Sequence, residues 1–379
     1  MQFRFRRRIP IMLTNKQEQT AGDSSQQYQS QSMTINNNGL TAQDAIEIFQ
    51  SITPMILAQY KDEAIRIAEE RVKRLEEKLI PMLEQTAGAL ENFKDPAFQL
   101  QLRRAQMSAA VSDADADLDM LSQLMIKHTQ VKEDRIKIVG VKKAIEIVSE
   151  IDNKALFALT VLYVLLHLHP TLPRASNGLE ELERLYSKIL YTTLPEGNEW
   201  ISHLDILGTI MIYQYSDKIR LENICESLYP GYSAAGIKKG SDRYLQASTL
   251  LSSIHFGESF LIDNPIMDGY CILPVVSKER IKYLTVVAVD QKTKMIKSRT
   301  VNDDEINMLL KIWDLYETGE SADVAKRNFI RMWDSYPNLH KVHDWLQNIP
   351  VRIDLNIVGM ILAQTSIKRY DPTIPDVYK

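Results

Sequence analysis

The longest apolar run in the chain is ALFALTVLYVLL, residues 155–166. A helix that crosses a bilayer needs about 20 apolar residues, so this run is too short for a membrane span. A run that is apolar on every side is instead typical of a helix buried in a protein core. It predicts a core helix that other parts of the chain must cover, and it argues against a membrane protein.

The composition sets broad limits on function. A chain of 379 residues is long enough for two domains, and its net charge of −4 gives no global reason to expect nucleic-acid binding. Cys225 and Cys271 cannot form a disulfide framework and fit a reducing compartment, so we expect a cytoplasmic protein. Two cysteines and seven scattered histidines also argue against a structural zinc module. We expect no cofactor.

Residues 40–193 carry helical patterns throughout and are predicted to form an all-helical domain. The clearest pattern is an apolar stripe with spacings of 3 and 4, which Pro81 is expected to end. Its members are predicted to mediate self-association: Ile65, Ala68, Val72, Leu75 and Leu79. Such a stripe is typical of a short coiled coil, but it also fits a helix that packs into its own domain. Both alternatives stay open at this stage.

Residues 194–379 have a mixed pattern and are predicted to form an α-rich α+β domain. A helix is expected over residues 200–215, and residues 351–355 resemble a strand. Two β-rich stretches, residues 270–276 and 281–290, are separated by four residues and predict a small hairpin. The predicted fold class is therefore mainly α, with a helical N-terminal domain, this α+β domain and a β-like leader.

Some side chains could carry chemistry. His340 and His343 are three residues apart on one helix face and are candidate metal ligands, although no matching pattern supplies the remaining ligands. A metal-dependent hydrolase or nuclease-like effector would require side chains of the second half to converge, namely His255, Glu258, Asp263, His340 and His343. A winged-helix nucleic-acid binder is a third hypothesis, which the acidic net charge opposes.

The first 39 residues combine two features. Four arginines crowd residues 4–8, and this stretch is interpreted as an extension upstream of a translation start at Met12. A polar leader follows and ends in alternating residues typical of a strand, with Tyr28, Met33 and Ile35 as candidate contacts between subunits. An isolated strand is marginal, so the alternatives are a strand paired within a homo-oligomer and a disordered tail.

Four segments together carry a family resemblance: NKQEQTAGDSSQQYQSQSMTIN, KDPAFQLQLRRAQMSAA, IDNKALFALTVLYVLLHLH and IDLNIVGMILAQTSIKR. The combination resembles an uncharacterised family of bacterial proteins that has a Gln-rich, Gly-Asp-Ser-Ser leader before a mainly helical body. In the last segment, Asn356 stands where the family has a hydroxyl residue. The resemblance implies a bacterial origin and a start near Met12, and it supplies no catalytic residues.

The leading functional hypothesis is a non-enzymatic cytoplasmic protein that forms a homo-oligomer and binds a protein partner. A role as a scaffold or sensor in a stress or phage-defence response is part of this hypothesis. The effector and the nucleic-acid binder are its alternatives.

Overall fold

The computed structural model describes residues 40–374 except 59, 62, 132–133 and 290–295. The chain divides into two compact units. The described part of the N-terminal unit covers residues 40–150, and the C-terminal unit covers Ile151–Ile374. The predicted strand of the leader, with Tyr28, Met33 and Ile35, lies outside the described residues.

The N-terminal unit is helical. Its helices are α1 (Ala42–Leu57), α2 (Glu63–Gln85), α3 (Pro96–Val111), α4 (Asp115–Gln130) and α5 (Arg135–Ile147), with a 3₁₀ helix at Leu90–Lys94. Local signals fix several of the helix starts. Thr41 and Asp44 form a capping box at α1, and Asp95 caps α3, which begins with Pro96. The carboxylate of Asp134 accepts hydrogen bonds from the first amides of α5.

The apolar stripe predicted from the spacings of 3 and 4, called the heptad stripe below, lies on α2 and forms part of the core of this unit. Ala68, Val72, Leu75 and Leu79 are buried, and Ile65 is half-buried. Helix α2 packs on α1, α3 and α4, so the stripe faces its own unit, which is the second of the two alternatives. The expected stop at Pro81 is wrong, because α2 continues to Gln85. Pro81 lies inside the helix and is exposed.

The helices of the C-terminal unit include the predicted core helix, α6. They are α6 (Asn153–His167), α7 (Ala175–Ile189), α8 (Glu199–Ile206), α9 (Leu221–Leu228), α10 (Pro230–Ser233), α11 (Asp242–Ser253), α12 (Asp303–Trp313), α13 (Glu320–Asp334), α14 (Pro337–Asn348) and α15 (Ile357–Tyr370). The prediction of a buried helix is confirmed, because every side chain of α6 from Ala155 to Leu165 is buried.

The units divide at residue 150/151, whereas the predicted domain boundary falls at 193/194. The difference concerns α6 and α7. Helix α6 packs on α8 and α15, and α7 packs on α14 and α15. Long-range packing of this kind leaves no signal in the local sequence, so the pattern of consecutive helices alone groups α6 and α7 with the helices before them.

Three small antiparallel sheets complete the C-terminal unit. Their strands are β1 (Ile210–Tyr213), β2 (Ile237–Lys238), β3 (Ile262–Asp263), β4 (Tyr270–Ile272), β5 (Thr285–Val289), β6 (Ile296–Thr300) and β7 (Arg352–Leu355). Strand β1 pairs with β7, β4 lies between β2 and β3, and β5 pairs with β6. The register of the first pair sets Ile210 opposite Leu355.

The mainly helical fold class with a small hairpin is confirmed, and two details of the prediction are wrong. The hairpin joins β5 to β6, because the residues expected to form its turn lie in a 3₁₀ helix, Lys278–Tyr283. The helix expected over residues 200–215 ends at Ile206 and gives way to β1, whose partner β7 is distant in sequence. Among the described residues, no helix has the length and apolar character needed to cross a membrane.

Candidate binding cleft

A cleft of about 880 Å³ opens on the C-terminal unit between the α7–α8 connection and helix α14. The connection supplies residues 190–197, α8 supplies Trp200, and α14 supplies four side chains. Ligand sites in proteins commonly have volumes of about 300–1,000 Å³, so this cleft is large enough for a peptide segment or a small molecule.

Aromatic side chains form its walls. The rings of Trp200 and Trp345 lie 5.5 Å apart, and the Trp345 indole N–H donates a hydrogen bond of 2.9 Å to the Pro195 carbonyl. Tyr191 stacks on Tyr370 with 5.3 Å between ring centroids, yet 59% of Tyr191 remains exposed. The two tryptophans are thus held in place by packing, while Tyr191 presents a large amphipathic surface to solvent.

The α7–α8 connection also presents main-chain groups. From residue 192 to 197, a segment within the described residues, no backbone–backbone hydrogen bond is formed. Thr192, Thr193 and Glu196 are exposed, so water can reach this backbone. Pro195 is the exception, because it is buried, has no N–H and uses its carbonyl to accept from Trp345. The other N–H and C=O groups of this segment are available to pair with the backbone of another chain.

Charged side chains from α14 lie beside the aromatic walls. Lys341, Asp344 and Asn348 line the cleft, as expected for residues three and four positions apart on one helix face. His340 Nε2 lies 3.4 Å from the carboxylate of Asp344, so His340 lies beside a side chain that lines the cleft. The cleft combines an apolar wall with one cation and one anion from α14, which could orient a bound peptide.

The candidate metal ligand His343 lies on another face of α14. Its Nδ1 is 2.8 Å from Asp334 Oδ1, and its Nε2 is 3.2 Å from Glu222 Oε1. His340 Nδ1 is 3.3 Å from the same Asp334 oxygen. The side chain of His343 is only 10% exposed. The two histidines are therefore brought together around one carboxylate, in a cluster that joins α14 to α13 and α9.

This cluster is not arranged as a metal centre. Within the described ranges, no three His, Cys, Asp or Glu side chains have a geometry that could hold a metal ion. Both ring nitrogens of His343 already lie within hydrogen-bond distance of carboxylate partners, so its observed contacts are those of a structural hydrogen-bond network. The cluster gives no support to the metal-dependent hydrolase or nuclease.

The other side chains of that hypothesis have separate partners. Asp263 pairs with Lys239 at 2.5 Å, and this ammonium group lowers the pKa of the Asp263 carboxyl. Glu258 accepts a hydrogen bond of 3.3 Å from the Tyr244 hydroxyl. His255 has a positive φ of 61° at the end of α11. Among these described residues, none of Asp263, Glu258 and His255 contacts His343, Asp334 or Glu222 through a hydrogen bond or ion pair.

The two cysteines are structural. Cys225 and Cys271 are free and buried. Burial raises the pKa of each thiol to about 11, so both are protonated and poorly nucleophilic near neutral pH.

The cleft is not predicted from the sequence. Tyr191 and Trp200 precede Trp345 by about two thirds of the length of the C-terminal unit, and no local motif connects them. The available signal is weak: two of the four tryptophans, Trp200 and Trp345, each stand near a proline or glycine that marks a helix end.

Comparison with known proteins gives one match. A family model that describes uncharacterised-like proteins matches residues 39–374. No curated protein and no solved structure matches the chain.

Proposed function

Because the chain belongs to this family of uncharacterised proteins, for which no activity is established, we propose a function from the cleft itself. The protein is a non-enzymatic binding module, and the cleft binds an extended segment of a partner protein. The α7–α8 connection pairs with the backbone of that segment, and the aromatic wall receives one of its side chains.

The observation that carries the proposal is the position of the aromatic wall directly beside residues 192–197, which form no backbone–backbone hydrogen bond within the described chain and are exposed except at Leu194 and Pro195. Addition of an extended peptide to a free backbone edge provides affinity through main-chain hydrogen bonds, and pockets for side chains provide specificity. The exposed Tyr191 and the fixed Trp200 and Trp345 supply the pocket. Tyrosine and tryptophan dominate the binding energy of many protein interfaces.

The length of the connection limits what can bind. Residues 191–196 span about 20 Å when extended, at about 3.3 Å per residue, so they can pair with a segment of about six residues. Lys341 and Asp344 would then set the direction of the segment through its charged groups. Exposed charges of this kind affect specificity and the rate of association more than affinity.

A peptide selected from a phage-displayed dodecapeptide library against the full chain tests the proposal. We expect Tyr191→Ala to weaken binding of the selected peptide at least tenfold, measured by fluorescence anisotropy. Tyr283→Ala is the matched control, because Tyr283 is 58% exposed and lies outside the cleft, and it should bind as the unsubstituted protein does.

A thermal melt of each variant separates lost binding from lost folding, since Tyr191 also contacts Phe157 and Tyr370. Equal binding by Tyr191→Ala and Tyr283→Ala would contradict the proposal, as would the absence of any selected peptide.

The proposal also includes a cytoplasmic location and a homo-oligomer. The buried free thiols of Cys225 and Cys271 support a reducing compartment. Self-association through the leader and a role in stress or phage defence stay predictions from the sequence. The heptad stripe is not proposed as the interface, since its members already pack inside the N-terminal unit.

A further inference from the structure

Helix α3 of the N-terminal unit presents an unusual surface to solvent. Leu100, Arg103, Met107 and Val111 recur every three or four residues and therefore share one helix face. Leu100 is 49% exposed, Met107 is 42% exposed and Val111 is 57% exposed. Most of the remaining side chains of α3 from Phe98 onward are buried in the unit. Three of these four solvent-facing positions are apolar, which is the reverse of an ordinary surface helix.

Helix α5 carries a second strip of the same kind beside it. Ile136 is 71% exposed and Val139 58% exposed, and Lys143 follows them on the same face. The two helices pack together: the Ser108 hydroxyl donates to the Ile145 carbonyl at 3.2 Å, and Arg104 pairs with Glu146 at 2.5 Å.

Arg104 lies four residues after Leu100, and Glu146 lies three residues after Lys143, so the ion pair is flanked by both strips. We call this surface the α3–α5 face, and it comprises Leu100, Arg103, Met107, Val111, Ile136, Val139 and Lys143. Its five apolar side chains expose on the order of a few hundred Å², the size of patch that commonly marks an interaction site on a monomer.

The charge around this face is strongly biased. Helices α3 and α5 carry six basic residues, Arg103, Arg104, Arg135, Lys137, Lys142 and Lys143, and one carboxylate, Glu146; the capping residues Asp95 and Asp134 add two carboxylates, and Asp134 lies 3.5 Å from Lys137. The Glu146 carboxylate lies within 3.6 Å of Lys143 as well as in contact with Arg104. The whole chain, by contrast, has a net charge of −4. A basic surface therefore stands on an acidic protein.

We propose that the α3–α5 face binds an acidic amphipathic helix of a partner protein. The apolar strips of two packed helices form a shallow groove that fits the apolar stripe of a third helix, with contacts at its positions i, i+3 or i+4, and i+7. The basic residues at the edges complement acidic residues on that helix. A second copy of this chain is a poorer fit, because a symmetric contact would bring these basic residues against one another.

Chemistry also favours a protein helix over an anionic membrane or a nucleic acid. The strips contain no aromatic residue, whereas interfacial membrane helices usually insert Trp or Phe beside Leu. Nucleic-acid surfaces rely on phosphate contacts, and the exposed apolar strips offer nothing to a phosphate.

The test uses the full chain and a designed 18-residue fluorescein-labelled peptide, with leucines spaced by three and four residues and glutamate at most other positions. The control peptide has lysine in place of each glutamate. We expect the acidic peptide to bind at least ten times more tightly than the lysine peptide by anisotropy. Binding should weaken several-fold between 50 and 300 mM salt, because salt screens surface charges at about 10 Å in 0.1 M solution.

Two substitutions locate the contact. Ile136→Asp is expected to weaken binding of the acidic peptide at least fivefold, and Arg103→Glu by a similar factor. Ile206→Asp is the matched control, since Ile206 is an 82% exposed isoleucine on α8 of the other unit, and it should change binding less than twofold. Circular dichroism checks that each variant is folded; both positions are on the surface, so a helical spectrum is expected.

Four results would overturn the inference. The acidic peptide could fail to bind, or bind equally to Ile136→Asp and Ile206→Asp. The chain could instead sediment with vesicles of phosphatidylcholine and phosphatidylserine while ignoring the peptide, which would assign the face to a membrane. Retention of a labelled 20-nucleotide RNA without binding of the peptide would assign it to nucleic acid.

Discussion

Replacement of Gly359 by alanine tests how the C-terminal unit is assembled. Gly359 lies in the first turn of α15, where a Cβ atom would overlap the Thr209 carbonyl oxygen and lie 3.4 Å from Leu159 Cδ1 of α6. Asn356 enforces this approach, because its amide donates to the Thr209 carbonyl at 3.2 Å and its side chain donates to the Gly208 carbonyl at 2.8 Å. The same side chain caps α15 by accepting from the amide of Gly359.

The expected cost follows from the nature of the obstacle. The atom that a methyl group would overlap belongs to the backbone beside β1, and backbone cannot move away by changing a rotamer. Overpacking of this kind costs about 3 kcal/mol, and the better helix propensity of alanine returns at most about 1 kcal/mol. We therefore expect Gly359→Ala to lower the free energy of unfolding by about 2 kcal/mol and the melting temperature by about 4–8 °C.

Tryptophan fluorescence during urea unfolding is the appropriate assay, because all four tryptophans lie in the C-terminal unit, at 200, 313, 333 and 345. Gly257→Ala is the matched control. Its φ is −76°, and the nearest atom to an added Cβ, Ser259 Oγ, is at 3.5 Å, so its effect should stay within about 0.5 kcal/mol. Equal unfolding midpoints for the two variants would refute this reasoning.

Two further predictions concern histidines. Burial lowers the pKa of His128 below 6.5, and neither ring nitrogen has a hydrogen-bond partner, so the unfolded chain binds a proton more readily. The stability that neutral His128 contributes is complete above pH 6.5 and is lost as pH falls towards its folded-state pKa. The free energy of unfolding, followed by circular dichroism, should therefore fall less between pH 7 and pH 5 in His128→Leu than in the unsubstituted protein. An equal fall in both proteins would contradict this prediction. Separately, His343→Ala should lower the free energy of unfolding by about 2 kcal/mol, because it leaves Asp334 and Glu222 without their shared partner. His340→Ala, at a side chain that is 51% exposed, should change it by less than about 0.5 kcal/mol, and equal effects would be inconsistent with the cluster's structural role.

Local signals in the sequence were sufficient for the helices whose ends carry their own caps. Thr41 and Asp44 form the capping box of α1, Pro96 opens α3, and Asn302 caps α12 through a capping box with Glu305. These features depend on residues within one turn of each other, so a single sequence contains the whole signal. The apolar run of α6 is informative for the same reason, since burial on all sides needs no knowledge of which helices provide it.

Features that depend on distant residues were not predicted. Strand β1 is formed because Ile210–Tyr213 pairs with β7, and the isolated segment IMIY extends a helical pattern equally well. The cleft depends in the same way on the meeting of the α7–α8 connection with α14. The spacing of His340 and His343 predicts that they share one helix face, whereas their partners Glu222 and Asp334 come from two other helices. These carboxylate partners show that the two histidines connect α14 to neighbouring helices.

Hydrogen exchange of the backbone amides of residues 192–194, 196 and 197, followed by mass spectrometry with and without the selected dodecapeptide, tests the central proposal most directly; Pro195 between them has no amide proton. These amides form no backbone–backbone hydrogen bond in the described chain and should exchange quickly in the free protein. If the cleft pairs with an extended segment, we expect the bound peptide to slow exchange at alternate positions of this stretch at least tenfold, with little change in α11 or α12. Unaltered exchange at 192–197 under saturating peptide would contradict the proposal.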